Sequence, residues 1–329
     1  MNRCLSLLIL TQLVFSIAAS STTEAAETQP LTIKEINQTW QQRRERLQAM
    51  RVELSLEIAT SKLLFYPEEE EPINPPSTYS PLTKADMESL KKELVINHAR
   101  YSILLDSPRI HYRHWGRFPS DRLKETISFD NNCFSNGLTV TRLQQSQGTP
   151  WIHIFKKTET SDVFSALSQL PLRWALLAGD RDLGETLEGF TVRSETEPIL
   201  DLDCTVLERT DTEGTARLWV APKSHDCTVL KYEYHNADKL LVSSQIQYKI
   251  DKDWGQVPTT CDLKSFYGNE DLLRNSYKYF FDILHAKASI PAEEFQVKFP
   301  QGARVWDSRK RDADGKVITY TVNKITIPR

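Results

Sequence analysis

The sequence lacks most of the features that announce chemistry. Its five cysteines include no CxxC pair and none of the closely spaced pairs that hold structural zinc. There is no G-x-S-x-G elbow, H-E-x-x-H, P-loop or dinucleotide fingerprint, which removes the usual motif-based grounds for a hydrolase, a nucleotide-binding enzyme or a redox enzyme. Beyond residue 19 no apolar run approaches the roughly 20 residues a membrane-spanning helix needs. An excess of one charge sign is also missing: 41 basic residues stand against 44 acidic ones, a formal net charge of -3, so no nucleic-acid footprint is expected.

What is present starts at the N-terminus. Arg3 precedes the apolar run Leu5 to Ala19, followed by small and polar residues, the pattern of a secretory signal peptide. Residues 1–25 are expected to leave with cleavage, taking Cys4, and the mature chain is expected in the periplasm or outside the cell with no transmembrane helix. Cys133, Cys204, Cys227 and Cys261 remain. In an oxidising compartment they serve either as disulfides, for which sequence offers three complete pairings, or as small buried thiols.

Residues 26–329 read as a single domain large enough to build a core unaided. Thr32 with Glu35 predicts a capping box, and Ile33, Ile36, Trp40, Leu47 and Met50 recur at helix spacing. The nearby Arg43, Arg44 and Arg46 are expected on the solvated side of this helix. From Val52 through Leu54, Leu56 and Ile58 the period becomes two, a strand with one buried face. The stretch from Tyr66 to Pro81, acidic with five prolines, is expected as an exposed loop insertion. A short helix is expected from Thr83, then strands from Ala99 to Gly116, in KETISF, around the Asn136-Gly137 turn and in WIHIF. Phe164, Leu167, Leu170, Trp174 and Leu177 predict a helix broken by Pro171, and the charged stretch from Gly179 to Ser194 reads as a linker.

From Leu202 onward the pattern is sheet-like, with short polar turns that favour an antiparallel meander. The aromatic run from Ser276 to His285 alternates as a strand, with a helix as the alternative, and FQVKFP is expected as another strand. In RLWVAPKSHDCTVLKYEY, Leu218 and Val220 share one face, Trp219 takes the other, and simple alternation puts Leu230 with Tyr232 and Tyr234. His111 and His114 fall on opposite faces of a strand and do not converge on a metal, and Cys227 beside Asp226 and His225 is better placed as a structural thiol than as a nucleophile. No catalytic, metal or cofactor residue is assigned, and ligand-binding residues are left unknown.

The late segments LWVAPKSHDCTVLKYEY, VPTTCDLKSFY and FQVKFPQGARVWD resemble exported proteins of the LolA/LolB-like periplasmic lipoprotein-carrier superfamily, especially divergent planctomycete-type relatives of unknown function. Trp219, Pro222, Phe295, Phe299, Pro300 and Gly302 carry the resemblance, which covers Leu202 to Val322. It implies an α+β fold with a curved antiparallel sheet, an incomplete β-barrel covered by helices, and an apolar interior. The function expected is a noncatalytic binding protein with a cavity for lipid acyl chains or lipidated protein. The alternatives are an envelope scaffold or sensor with a self-filled core and, third, a secreted hydrolase without a recognised motif.

Overall fold

The computed structural model describes residues 29–46, 49–62, 83–106, 109–120, 125–136, 138–145, 148–156, 170–177, 186–267, 272–287 and 289–323. The expected signal peptide, the 66–81 insertion and the 161–169 part of the central helix lie outside the described residues.

Helix α1 (Ile33–Arg46) starts where the capping box places it: the Thr32 backbone N–H donates to Glu35 Oε2 (2.9 Å) and the Glu35 N–H to Thr32 Oγ1 (3.2 Å). Strand β1 (Ala49–Ser61) follows with Val52, Leu54 and Leu56 buried at every second position. Helix α2 (Lys84–Lys92) carries its own box between Thr83 and Asp86. It leads into β2 (Leu94–Asp106), β3 (Arg109–Ser120), β4 (Glu125–Ser135), β5 (Thr139–Gln145) and β6 (Trp151–Lys156), each antiparallel to the one before. Helix α3 is described over Leu170–Leu177, the later part of the expected central helix.

The second run comprises β7 (Thr191–Ile199), β8 (Leu202–Thr210), β9 (Thr215–Val220), β10 (Val229–Asn236), β11 (Lys239–Asp251), β12 (Gly255–Phe266) and β13 (Leu273–Lys287). The aromatic run is therefore strand. The expected linker ends early, because Thr191–Ile199 pairs with β8 as an edge strand; its charged side chains suit a strand exposed along one side. Strands β14 (Arg304–Arg311) and β15 (Val317–Thr321) complete one fifteen-stranded sheet in the order β15-β14-β6-β5-β4-β3-β2-β1-β13-β12-β11-β10-β9-β8-β7.

This sheet is curved and does not close. Val140 of β5 and Leu207 of β8 belong to one buried cluster although ten places separate them in the strand order, while the edges β15 and β7 stay unpaired with each other. We call the face lining that cluster the inner face.

Two junctions depart from the meander: β1 lies antiparallel to β13, and β14 runs parallel to β6. A parallel neighbour needs a crossover, and residues 289–303 supply it by crossing the outer face. The Ile290 N–H donates to Asp106 Oδ2 (3.1 Å), Arg109 donates to the Ile290 carbonyl (3.1 Å), and Arg51 pairs with Glu294. Val297 and Phe299 then bury against Ile152, Ile154 and Val305. FQVKFP thus belongs to a strap, with Ala292–Phe295 as one turn of 3-10 helix, and is not a ladder strand; its apolar alternation serves contact with the outer face.

The hairpin between β9 and β10 holds α1. Asp226 and Cys227 take positive φ (56° and 49°) in the turn. Arg46 pairs with Asp226 (2.8 Å), Lys223 with Glu35 (2.6 Å), and Trp40 Nε1 donates to the Cys227 carbonyl (2.7 Å). Arg43 is buried, contrary to its expected solvated position: it sits one heptad after Ile36 on the same helix face and donates to the carbonyls of Ala175 (3.0 Å) and Gln256 (3.3 Å). Burial holds its guanidinium below the ordinary value. Simple alternation also fails within the hairpin. A bulge between Val229 and Lys231 keeps Val229 on the inner face with Tyr232 and sends Leu230 outward to Trp219, Cys204 and Val206.

Candidate functional site: the aromatic inner wall

The inner face divides by what meets it. On β8 to β12 the described helices do: α3 packs on β10, β11 and β12, and Leu31, leading into α1, donates its N–H to Thr205 of β8 (2.8 Å). Trp40 and Trp174 pack ring against ring between α1 and α3, with centroids 5.8 Å apart. That half is filled by the protein's own side chains.

On β13, β1, β2, β3 and β4 the inner face is instead a wall of tyrosines. Register places Phe281, Leu54, Tyr101, His114 and Asn131 in one row across five strands, and Val52, Ile103, Tyr112 and Cys133 in the next. Tyr101 is the hub: its ring stacks on His114 (4.1 Å, 11°) and tilts against Tyr112 (5.4 Å) and Tyr279 (6.3 Å). Phe129 meets the other side of His114 edge-on at 4.6 Å. In the following row Ala99 and Gly116 take almost no room. Gly116 is required there, since a Cβ would lie 2.7 Å from the His98 carbonyl oxygen.

The wall's polar atoms are the informative part. Tyr279 Oη, His114 Nε2, Asn131 Oδ1 and Asn97 Oδ1 are buried without a hydrogen-bond partner, and Tyr112 Oη makes no bond of good geometry, with the Tyr101 phenol standing near it. A buried polar group left unpaired costs about 1–3 kcal/mol, and native interiors contain few. Burial pushes the Tyr101, Tyr112 and Tyr279 phenols well above their ordinary pKa, so all three are protonated donors. It lowers His114 from 6.5 to about 4, leaving a neutral imidazole at neutral pH. The wall therefore offers uncharged donors and acceptors in an aromatic setting, suited to hydroxyl, ester or amide groups carried on an apolar ligand.

The histidines behave as strand geometry predicts. His114 points inward, while His111 points outward, stacks on Phe134 (4.0 Å) and bonds through Nδ1 to the Glu294 carbonyl (3.2 Å). Among the described residues no group of three or more His, Cys, Asp or Glu stands together as a metal site would require. Cys133, Cys204, Cys227 and Cys261 are buried thiols. Burial raises the pKa of each, Cys133 to about 12 and Cys204 to about 11, the opposite of what a nucleophile needs. The residues that carry the family resemblance lie away from the wall. Trp219 packs outward and donates to Glu197 (2.8 Å), Phe295 and Phe299 belong to the strap, and Gly302 supplies a turn at φ +81°.

Two hollows open elsewhere. One of about 740 Å³ lies between β1, β2, β3 and β13, with the outward-facing Ile96, Trp115, Phe280, Arg100 and Arg117 on its rim and floor. Another of about 860 Å³ separates the polar side of α1 from residues 186–188. No helix among the described residues is long and apolar enough to cross a membrane.

No family model matches the chain, and no curated protein matches it. Among solved structures, a DUF1329 family protein from Desulfovibrio piger ATCC 29098 aligns over 80% of this chain and 97% of its own, with 10% identity and a TM-score of 0.38. PNGF-II aligns over 79% of this chain and 32% of its own, with 9% identity and a TM-score of 0.24. Neither is a LolA or LolB, and at these scores neither assigns a family or an activity. The arrangement itself is a curved, incompletely closed sheet partly covered by few helices.

Proposed function

We propose that the chain is an exported, noncatalytic binding protein of the LolA/LolB-like carrier kind, which holds an acyl-bearing lipid or lipidated protein against the tyrosine wall. One observation carries this reading: four buried polar atoms, on Tyr112, Tyr279, His114 and Asn131, lack a hydrogen bond of good geometry within one aromatic patch. An ester or amide link at the head of an acyl chain would accept from the two phenols and leave the chain on Leu54, Ile103 and Phe129. The wall's neutral character argues for binding over proton-transfer chemistry, because each phenol and thiol is shifted away from the range in which it could exchange a proton near neutral pH. The short apolar leader before the mature chain supports periplasmic or secreted placement.

The second reading, a scaffold or sensor with a self-filled core, draws on the Trp40–Trp174 packing that leaves the α1 and α3 half filled. Native purification followed by lipid mass spectrometry, together with displacement of a fluorescent fatty acid, separates the two. Copurified lipid or saturable binding weakened by Tyr279→Ala is expected. Absence of both copurified lipid and saturable binding overturns the carrier reading in favour of the scaffold.

A further inference from the structure

The inner face continues past the tyrosines onto β5, β6 and β14, and its character changes. Register carries the Asn131 row on to Gln144, Trp151 and Arg304, and the Cys133 row on to Arg142, His153 and Trp306. Burial falls away along this path: Tyr101 and Tyr112 are buried, Trp151, His153 and Trp306 are half-buried, and Arg142 and Arg304 are exposed. Trp151 and Trp306 stack ring on ring at 4.2 Å and 11°, the Arg304 guanidinium lies 5.3 Å from the Trp151 centroid, and His153 sits 4.7 Å from Trp306.

Charge on this stretch has one sign. Neither Arg142 nor Arg304 has a carboxylate partner among the described residues, and the inward positions of β4 from Phe129 to Ser135, and those of β5, β6, β14 and β15, carry no Asp or Glu. The nearby acids project to the outer face and are already paired there, Asp130 with Arg113 (2.7 Å) and Asp307 with Arg309 (2.8 Å). Two uncompensated guanidinium groups set in an aromatic concavity favour an anion. Their strands are two ladder spacings apart, about 10 Å, within reach of a single headgroup for side chains of this length. The Arg304 guanidinium lies over the Trp151 ring and has no side-chain hydrogen-bond partner among the described residues, which leaves its N–H groups for phosphate.

We propose that Arg142 and Arg304, with the Trp151–Trp306 pair between them, form the headgroup end of the binding face and select a lipid with an anionic phosphate headgroup, whose acyl part extends toward Tyr101 and Tyr112. This rests on the reading of the tyrosine wall as an acyl-binding surface. The tryptophans cover the linker and first methylenes, and the arginines take the phosphate.

The test is titration calorimetry on the mature chain with dodecyl phosphate, dodecylphosphocholine, monolaurin and inorganic phosphate, repeated with the Arg142→Gln/Arg304→Gln double variant. Dodecyl phosphate is expected to bind about tenfold or more tightly than monolaurin, as one or two charge-assisted hydrogen bonds provide, with inorganic phosphate far weaker for want of an apolar part. The double variant should lose that preference and keep its monolaurin affinity, while single Lys replacements restore part of it. Equal affinity for the three amphiphiles, or a preference that survives in the double variant, overturns the headgroup assignment and leaves acyl binding standing. Binding of inorganic phosphate as tight as dodecyl phosphate overturns it as well. Failure of monolaurin and dodecyl phosphate alike removes the acyl-binding reading beneath it. Both arginines are exposed, so an unchanged thermal melt is expected of every variant.

Discussion

The two halves of the inner face solve the same burial problem differently. From β8 to β12 the sheet meets α1 and α3, and its main polar atoms find partners: Trp40 Nε1 on the Cys227 carbonyl, Arg43 on two carbonyls, and Tyr248 Oη on the Val229 carbonyl (3.1 Å), with Trp174 Nε1, Ser244 Oγ and Arg43 Nε left over. From β13 through β4 no described helix hydrogen-bonds to the inner face, and the hydroxyl, imidazole and amide atoms stay unpaired. A half completed by its own helices is a core. A half built of equally large side chains but short of partners keeps buried polar atoms unpaired, which is what the proposed ligand site draws on. The comparison makes truncation expensive on the first half and removal of polar atoms cheap on the second.

The largest effect is expected from Trp40→Ala. It deletes a fully buried ring, its bond to the hairpin turn and its packing on Trp174. Urea denaturation should show a loss of about 3–5 kcal/mol, the range for aromatic truncation in a packed core. A loss below about 1 kcal/mol would mean that α1 is loosely seated and that the two halves do not differ as argued.

Next comes pH, which acts on the tyrosine wall. The unfolded chain binds a proton on His114 near 6.5, but the folded chain resists until about 4 because burial penalises the cation. Its contribution to stability is complete above about 6.5, is lost progressively as pH falls toward 4, and changes no further below that. At about 1.4 kcal/mol per unit the loss is roughly 3 kcal/mol. Comparison with His114→Phe isolates it: the variant keeps the stack on Tyr101 and should show a shallower decline across this window, while His111 and His153, also lowered by burial, contribute equally to both proteins. Parallel pH profiles would place His114 in contact with water.

Much of this difference was open to a reader of the sequence, and the rest was hidden for identifiable reasons. Helix α1 announced itself by Thr32 and Glu35, and most strands by alternation; even the contact of Tyr101 with His114 follows once β2 turns back into β3 across residues 107–108, because Asp106 opposite Arg109 fixes every pair below it. The spacing of His114 from His111 poses a helix or metal question, whereas its strand partner Tyr101 decides its surroundings. Leu230 was misplaced because a bulge is invisible to a period-two count. The parallel seat of β14 beside β6 depends on a fifteen-residue strap whose bonds, Asp106 and Arg109 to Ile290, span about 180 positions of chain. Arg142 and Trp151 meet on the neighbouring strands β5 and β6, but Arg304 joins them only through that strap, so no local pattern gathers all three.

The smallest effect is also the most discriminating, because one chemical change should have opposite signs on the two halves. Tyr248→Phe removes a hydroxyl that donates to the Val229 carbonyl, so it should destabilise by about 1 kcal/mol. Tyr279→Phe removes a buried hydroxyl without a partner, and Tyr112→Phe one that only the Tyr101 phenol approaches, so each should leave stability unchanged or raise it by about 1 kcal/mol in the lipid-free protein, with the gain larger at Tyr279. The same two changes should weaken acyl-ligand binding, because the phenols are the donors assigned to the ester or amide. A gain in stability coupled to a loss of binding is the signature of a site whose polar atoms are kept for a ligand. If Tyr112→Phe and Tyr279→Phe instead destabilise as Tyr248→Phe does, the hydroxyls have partners within the protein, and the second half is a core like the first.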